Sequence, residues 1–419
     1  MSRLTPERIE EVWAEAAAKY GLDPVVNDQW ASNNLFRQPF DLESLPATLA
    51  AMEIVRDKTP TFFDAHDYDW AFGTGVWQKS LEANYQSRSF QHLSMLHRSP
   101  YRDPAWQLDK VVVRYAFQTD ALTASPFHLE HDGLHFITVP FVFNETLMLL
   151  FAAFLDTIGG IGAGWAALEE SDAAVDDTRI SPNLKHLLLR MLTTDGFHPS
   201  IPGEPPMDVV KREVAWFADA EEVAGVPGPL MNHLTMSLID YALAHELGHR
   251  LLDHRGVTRL EDLDARIAAE IDADRVGFHL FTTSWGWRDE LMDDAPLGEL
   301  ARIMLGPLCF AIFERWYAGA LSGLAAACLK ADVEPGFDLA SLETRRQESE
   351  VRMRVTFEAV ANHQAQSIAN GASFTEDDNR RIDLLTRRMV ALLGNILQQA
   401  GSAPPEAVRY ARDLVKPLI

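Results

Sequence analysis

The chain has few cysteines, and those it has are not spaced for metal binding. Among its 419 residues there are 2 cysteines, Cys309 and Cys328, which lack the CxxC spacing typical of thiolate zinc sites. A disulfide-rich secreted domain is therefore excluded. We expect two free, buried thiols in a reducing cytosol, with a disulfide between them as the alternative.

Basic residues are also scarce. The chain carries 37 lysines and arginines against 61 aspartates and glutamates, which gives a formal net charge of −24. Nonspecific nucleic-acid binding needs clustered cations against phosphates, and anionic membranes repel an acidic surface. The charge balance therefore predicts no nucleic-acid partner and suits a protein that stays in aqueous solution.

Long uncharged apolar runs are missing as well. Residues 146–155 are followed by Asp156, and residues 303–329 are interrupted by two charged side chains. A helix that spans a membrane needs about 20 consecutive apolar residues, so both stretches are predicted to be buried core helices. Residues 1–22 have an amphipathic pattern without the apolar segment of a signal peptide. We therefore expect no membrane span, no secretory signal and a cytoplasmic protein.

The most informative segment is residues 245–249, with the sequence HELGH. Histidines four apart lie one above the other on the same face of a helix, so His245 and His249 can reach one zinc ion. Glu246 is turned by about 100° from His245. It therefore does not compete as a ligand, but it can take a proton from a water at the metal. The motif predicts a hydrolytic zinc centre.

The sequence around this motif predicts a buried helix over residues 232–255, which contain no proline. Apolar side chains cover both the side that carries the two histidines and the opposite side, as in a helix enclosed by the core. Gly256 follows as the expected C-terminal cap. Buried imidazoles need polar partners, which metal coordination supplies. Packing within a buried helix is the alternative use of such histidines.

A catalytic zinc needs a third protein ligand. His254 is unsuitable, because it points away from His245 while the helix continues. A second predicted helix over residues 261–282 places Glu270 and Asp274 within its apolar stripe. Carboxylates are rarely buried unless they are paired or bind a metal. We predict Glu270 as the third ligand and Asp274 as a residue that orients a ligand histidine, with a buried salt bridge to an arginine as the alternative.

The two predicted helices together resemble a known family. HELGH followed by Glu-Ile-Asp-Ala-Asp at residues 270–274 is similar to the HExxH…ExxAD pattern of gluzincin metallopeptidases, and most similar to soluble relatives of the CAAX prenyl endopeptidase branch. The resemblance covers residues 230–282 and implies a zincin-like fold and a protein or peptide substrate. It implies Zn²⁺ as the cofactor, with these residues at the site: His245, His249 and Glu270 as ligands, Glu246 as catalytic base and Asp274 as support for a ligand.

Residues 106–143 carry the clearest strand signal in the chain. Two apolar runs flank Asp132-Gly133, a dipeptide typical of tight hairpin turns, so we predict a hairpin in a small sheet beside the zinc helix. His128, His131 and His135 lie around this turn. They could suggest a second metal site, but alternation along strands separates their directions. We interpret them as scattered histidines on a solvated hairpin.

The predicted fold is mainly α with an α+β, zincin-like core. It consists of a buried HExxH helix, a small antiparallel sheet and a helical C-terminal region. Three parts are expected along the chain: an N-terminal helical region over residues 1–105, a catalytic core over residues 106–290, and helices over residues 291–419 that pack as one unit with the core. Strands would make up about 10% of the residues, which is less than in an ordinary domain.

Two classes of function fit these patterns. The first is a zinc metallopeptidase in which Glu246 accepts a proton from water and returns it to the leaving amine. Tyr241, His279 and Tyr317 are its candidates for stabilising the oxyanion. The second is a noncatalytic helical interaction protein with a structural zinc or salt-bridge site. Glu246 favours the first class, because a structural site needs no base between its ligands. A zinc hydrolase with a non-peptide substrate is a variant of the first class.

Overall fold

The computed structural model describes residues 6–24, 110–118, 125–171, 181–193, 207–221, 223, 227–254, 262–284, 296–335 and 337–415. Within these ranges the chain forms eleven α-helices and a four-stranded sheet, which confirms the prediction of a mainly α protein. The helices are α1 (Pro6–Tyr20), α2 (Phe141–Asp156), α3 (Trp165–Glu170), α4 (Pro182–Thr193), α5 (Met207–Glu213), α6 (Pro229–Leu251), α7 (Leu263–Ser284), α8 (Glu299–Lys330), α9 (Leu339–Ala369), α10 (Glu376–Ala400) and α11 (Pro405–Val415). The strands are β1 (Leu22–Pro24), β2 (Val111–Gln118), β3 (Phe127–His131) and β4 (Leu134–Pro140).

The sheet has the strand order β1-β2-β4-β3, so β3 lies at one edge. β1 pairs with β2, and β3 with β4, in antiparallel fashion, whereas the central pair β2–β4 is parallel. The prediction of an antiparallel sheet is therefore wrong for the central pair. The hairpin joins the sheet through its second strand, β4, so that β4 runs in the same direction as β2.

The predicted hairpin is confirmed. Its turn residues Asp132 and Gly133 have φ values of 46° and 73°. Positive φ at both positions is characteristic of a type I′ turn, whose twist matches that of the flanking strands. The turn sets the register of the hairpin, in which Glu130 lies opposite His135.

The sheet is covered on both faces around β4. Trp13 on α1 meets Phe136 on β4 with ring centroids 5.2 Å apart, inside an apolar cluster that also contains Leu134. Because side chains alternate along a strand, His135 and Ile137 point to the opposite face. Both of these residues are buried, so the second face is enclosed although it carries an imidazole.

The chain divides into two compact units. The first contains α1, the sheet, the part of α6 from Ile239 onward, and α7. The second contains α2 from Val142 onward, α3, α4, α5, the first part of α6, and α8 to α11. The predicted boundary after residue 105 lies outside the described residues, and the three-part division of the chain stays a prediction.

The apolar stretches seen in the sequence lie in α2 and α8. None of the helices in the described ranges is long and apolar enough to cross a membrane. Cys309 and Cys328 both lie on α8, where they are buried and free, as predicted. The rise of the helix separates them by about 28 Å, far beyond the reach of a disulfide.

Candidate metal centre

The HELGH segment lies at the C-terminal end of α6, in the first compact unit. Its two histidines are buried, with 2% of His245 and 5% of His249 exposed. Their Nε2 atoms are 3.1 Å apart, and their rings meet edge-on with centroids 4.6 Å apart. The spacing of four residues thus brings both Nε2 atoms together on one buried face of the helix.

Glu270 reaches the same point from α7. Its Oε2 atom lies 3.2 Å from Nε2 of His245 and 3.5 Å from Nε2 of His249. In a tetrahedral site with metal–ligand bonds of about 2.0–2.1 Å, neighbouring ligand atoms are about 3.3–3.4 Å apart. The three side chains therefore fit a small metal ion between them. Among the described residues, these three offer ligand atoms that all lie within 4.8 Å of one another, close enough to bind one metal ion.

Asp274 follows Glu270 by one helical turn and lies behind His245. Its Oδ1 atom is 2.9 Å from Nδ1 of His245, the nitrogen that faces away from the cluster. The main-chain carbonyl of Asp274 accepts a hydrogen bond from the Tyr241 hydroxyl at 3.1 Å, which holds α7 against α6. The carboxylate is therefore placed to keep the proton of His245 on Nδ1 and leave Nε2 for a metal.

Glu246 is buried beside the cluster without joining it. Its Oε1 atom lies 3.7 Å from Nε2 of His245, farther than the oxygen of Glu270. A carboxylate in this place can hydrogen-bond a small molecule that occupies the space next to the three ligand atoms. This is the position that the sequence predicts for a general base.

Two glycines let α6 and α7 approach closely, and neither was predicted as a site residue. A Cβ atom on Gly248 would lie 2.6 Å from the carbonyl oxygen of Ala273, and one on Gly277 would lie 2.8 Å from Cα of His245. The main chains of the two helices therefore touch at both points, which brings Glu270 to the histidines. The one signal in the sequence is an isolated glycine inside each predicted helix, which often marks a packing requirement.

Gly277→Ala is expected to lower the free energy of unfolding by about 1–3 kcal/mol, because the new methyl group would overlap main-chain atoms of His245 that cannot rotate away. Gly394→Ala on α10 is the matched control, since no described atom lies within 4 Å of its Cβ position. There the higher helix propensity of alanine should raise stability by about 0.5–1 kcal/mol. Urea unfolding of both variants measures the two changes, and a similar gain in both would contradict the close crossing.

The C-terminal end of α6 differs from the prediction. The helix ends at Leu251, and Asp253 adopts a φ of 55°, which reverses the chain. The main-chain N–H of His254 then donates to the carbonyl of His249 at 2.9 Å, and Nδ1 of His254 lies 3.2 Å from Nδ1 of His249. The prediction that His254 points away from His245 assumes that the helix continues; because the helix ends before this residue, the ring of His254 contacts His249. The expected cap Gly256 lies outside the described residues.

The hairpin histidines are also placed differently from the prediction. His128 and His135 lie diagonally across the β3–β4 pair, with Nε2 of His128 3.3 Å from Nδ1 of His135. The ring of His128 also hydrogen-bonds the main chain of His254, and burial, followed by nearby positive groups, holds the pKa of His128 well below its usual value. His131 instead contacts Glu15 on α1 at 3.3 Å. His128, which is half-buried, and the buried His135 are thus partners of each other, not scattered side chains in solvent.

The three oxyanion candidates have other contacts. The hydroxyl of Tyr241 donates to the carbonyl of Asp274. The guanidinium carbon of Arg345 lies over the ring of Tyr317, 5.4 Å from the centroid of that ring. His279 lies on α7, where its carbonyl accepts a hydrogen bond from a neighbouring threonine. These contacts assign no oxyanion role to any of the three.

Asp274→Ala is expected to weaken zinc affinity about 10–100-fold without removing a ligand, because His245 loses the group that orients its ring. Asp272→Ala is the matched control on the same helix, since Asp272 is exposed and pairs with Arg275 at 3.0 Å. Competition with a chromophoric chelator measures both affinities. Unchanged zinc affinity together with lower stability of the Asp274 variant would favour the salt-bridge alternative.

The resemblance to gluzincin peptidases rests on the motif residues of the sequence alone. Comparisons of the chain with models of protein families, with curated proteins and with solved structures find no significant match.

Proposed function

We propose that this chain is a zinc-dependent metallopeptidase with His245, His249 and Glu270 as ligands and Glu246 as the general base. The observation that carries the proposal is the convergence of three buried ligand atoms, 3.1–3.5 Å apart, with a separate buried carboxylate 3.7 Å from one of them. A structural metal site has no need of that fourth side chain. The combination therefore favours catalysis over a purely structural metal.

The ligand set supports zinc as the metal. Two imidazoles and one carboxylate are the protein ligands of several catalytic zinc sites, where the fourth position is left for the reacting molecule. Calcium and magnesium prefer sites made of oxygen atoms alone. The two ring nitrogens at this site therefore argue for zinc over either of these ions.

The proposed chemistry divides between the metal and the protein. Zinc bound at this site would act as a Lewis acid, lowering the pKa of a water and polarising the carbonyl of the substrate. Glu246 would accept a proton from that water and return it to the leaving nitrogen, so that the peptide bond breaks to a carboxylic acid and an amine. Asp274 would keep the proton of His245 on Nδ1 throughout.

A peptide is the proposed substrate, because the motif pair resembles that of peptidases. An extended peptide can add to the edge of a sheet through main-chain hydrogen bonds, and β3 is an edge strand of this sheet. The carbonyl of Glu130 on β3 already accepts a hydrogen bond from the Tyr20 hydroxyl at 3.3 Å. A substrate would therefore pair with β3 closer to Phe127.

We place the enzyme in the cytoplasm on the basis of its thiols. Cys309 and Cys328 are free and buried, and reduced cysteines are usual in that compartment. Burial raises the pKa of both thiols. They therefore stay protonated and unreactive at neutral pH.

The test of the proposal is metal analysis followed by a cleavage assay on the purified protein. We expect about one zinc per chain and cleavage of members of a mixed peptide library, detected by mass spectrometry. Cleavage should stop with 1,10-phenanthroline and return when zinc is added. Full zinc occupancy without cleavage of any peptide would contradict the peptidase assignment, and failure to take up zinc would contradict the metal centre itself.

A further inference from the structure

The outer nitrogen of His249 has a partner of its own at the end of α6. Nε2 of His249 faces the three-atom cluster, and its Nδ1 lies 3.2 Å from Nδ1 of His254, with ring centroids 5.4 Å apart. The arrangement parallels that of His245, whose Nδ1 lies 2.9 Å from Asp274. Each ligand imidazole therefore has one nitrogen toward the cluster and the other against a side chain outside it.

Metal binding by His249 determines which ring nitrogens of His249 and His254 carry a proton. A metal-binding Nε2 carries no proton, so the neutral ring of His249 carries its proton on Nδ1. That N–H needs an acceptor, so Nδ1 of His254 must be unprotonated, with the proton of that ring on Nε2. The contact is then an N–H···N hydrogen bond from the metal ligand to His254.

His254 is held in place from two sides. The left-handed residue Asp253 and the 2.9 Å hydrogen bond from the His254 main-chain N–H to the carbonyl of His249 fold it back onto α6. From the other side, the ring of His128 lies within hydrogen-bonding reach of the main chain of His254, and Nε2 of His128 meets Nδ1 of His135 at 3.3 Å. The hairpin thus fixes the main chain from which the His254 ring projects.

We propose that His254 is a positioning residue of the metal centre, which accepts the Nδ1 proton of His249 and fixes the orientation of that ring, while His128 holds His254 in place. The inference rests on the metal-binding part of the proposed function. It assigns different partners to the two ligand histidines. Hydrogen bonds to a charged acceptor are roughly twice as strong as those to a neutral one, so Asp274 raises the basicity of His245, whereas His254 mainly orients His249.

His254→Phe tests the role directly, because it keeps the size of the ring and removes the acceptor. We expect zinc affinity to fall about 10–100-fold in chelator competition. We also expect the visible absorption bands of the Co²⁺-loaded protein to shift, because they report the geometry of the ligands. His131→Phe is the matched control: this histidine lies on the same hairpin as His128, but it contacts Glu15 and not the metal centre. It should leave both zinc affinity and the Co²⁺ spectrum unchanged.

A double variant tests the part assigned to His128. His128→Phe should weaken zinc binding less than His254→Phe does, because the acceptor ring remains. If His128 acts through His254, the double variant binds zinc no more weakly than His254→Phe alone. Additive losses in the double variant would overturn the role of His128 as a support for His254.

A measurement on the wild-type protein decides the matter even if His254→Phe does not fold. In the zinc-loaded protein with ¹⁵N-labelled histidine, NMR should show a protonated Nδ1 on His249, an unprotonated Nδ1 on His254 and a scalar coupling between the two. A protonated Nδ1 on His254, or an unchanged affinity and Co²⁺ spectrum in the folded variant, overturns the positioning role. Wild-type protein that takes up no zinc overturns the metal centre, and this role with it.

Discussion

Glu246→Gln is expected to lower peptide hydrolysis about 10²–10⁴-fold, the usual contribution of a general base, while zinc stays bound. The amide has nearly the size of the carboxylate but cannot accept the proton of a water. Glu246 lies 3.7 Å from Nε2 of His245 and is outside the group of three converging ligand atoms. Its replacement should therefore remove the chemical step and leave the metal in place. Initial rates and zinc content of the same preparation measure the two properties together.

Glu350→Gln on α9 is the control for this variant. Glu350 is exposed and pairs with Arg315 at 3.1 Å, and surface ion pairs contribute at most about 1 kcal/mol to stability. Its activity should equal that of the wild type. Full activity in Glu246→Gln would rule out the proposed base. Loss of zinc together with activity would identify Glu246 as a metal ligand instead.

Glu270→Ala is expected to weaken zinc binding more than Asp274→Ala does, because it removes one of three protein ligands outright. Oε2 of Glu270 lies 3.2 Å and 3.5 Å from the two histidine Nε2 atoms, so its loss leaves only the imidazole pair. Chelator competition on the two variants compares the losses. A zinc affinity equal to that of the wild type would show that Glu270 is not a ligand.

Thermal unfolding separates loss of the ligand from loss of the fold. A ligand that binds only the folded state raises stability by an amount that grows with its concentration relative to the dissociation constant. Added zinc should therefore raise the Tm of the wild type and of the control Asp272→Ala, but not that of Glu270→Ala. The metal-free Glu270 variant should be as stable as the metal-free wild type or more so, because a buried carboxylate is costly to desolvate.

The placement of the site residues follows from rules that act within single helices. A spacing of four puts His245 and His249 on one face, and a position inside an apolar stripe turns Glu270 and Asp274 inward. The structure brings all four side chains together at short distances. The helical period is therefore enough to predict which faces carry these residues. That the two faces meet depends on the close packing of α6 and α7 at Gly248 and Gly277, and the roles of the residues in binding and catalysis stay predictions.

What the sequence did not predict depends on contacts between distant parts of the chain. The Asp132-Gly133 turn encodes the hairpin, but nothing in a strand pattern says which strand of the hairpin joins β2. The end of α6 was missed for a local reason. Gly256 is the stronger signal for a helix end, yet the chain reverses at Asp253, and aspartate adopts the left-handed conformation only occasionally. The position of His254 follows from that reversal.

The crossing of α6 and α7 at Gly248 and Gly277 has a consequence for the choice of ion. With main chain against main chain at both points, no side chain lies between the two helices there to set or change their spacing. The space matches an ion with bonds of about 2.0–2.1 Å to its ligands. Calcium, with about 6–8 oxygen ligands at about 2.3–2.6 Å, would have to force the helices apart. At the proposed metal centre, this close crossing of the helices would therefore favour an ion of the radius of zinc over calcium.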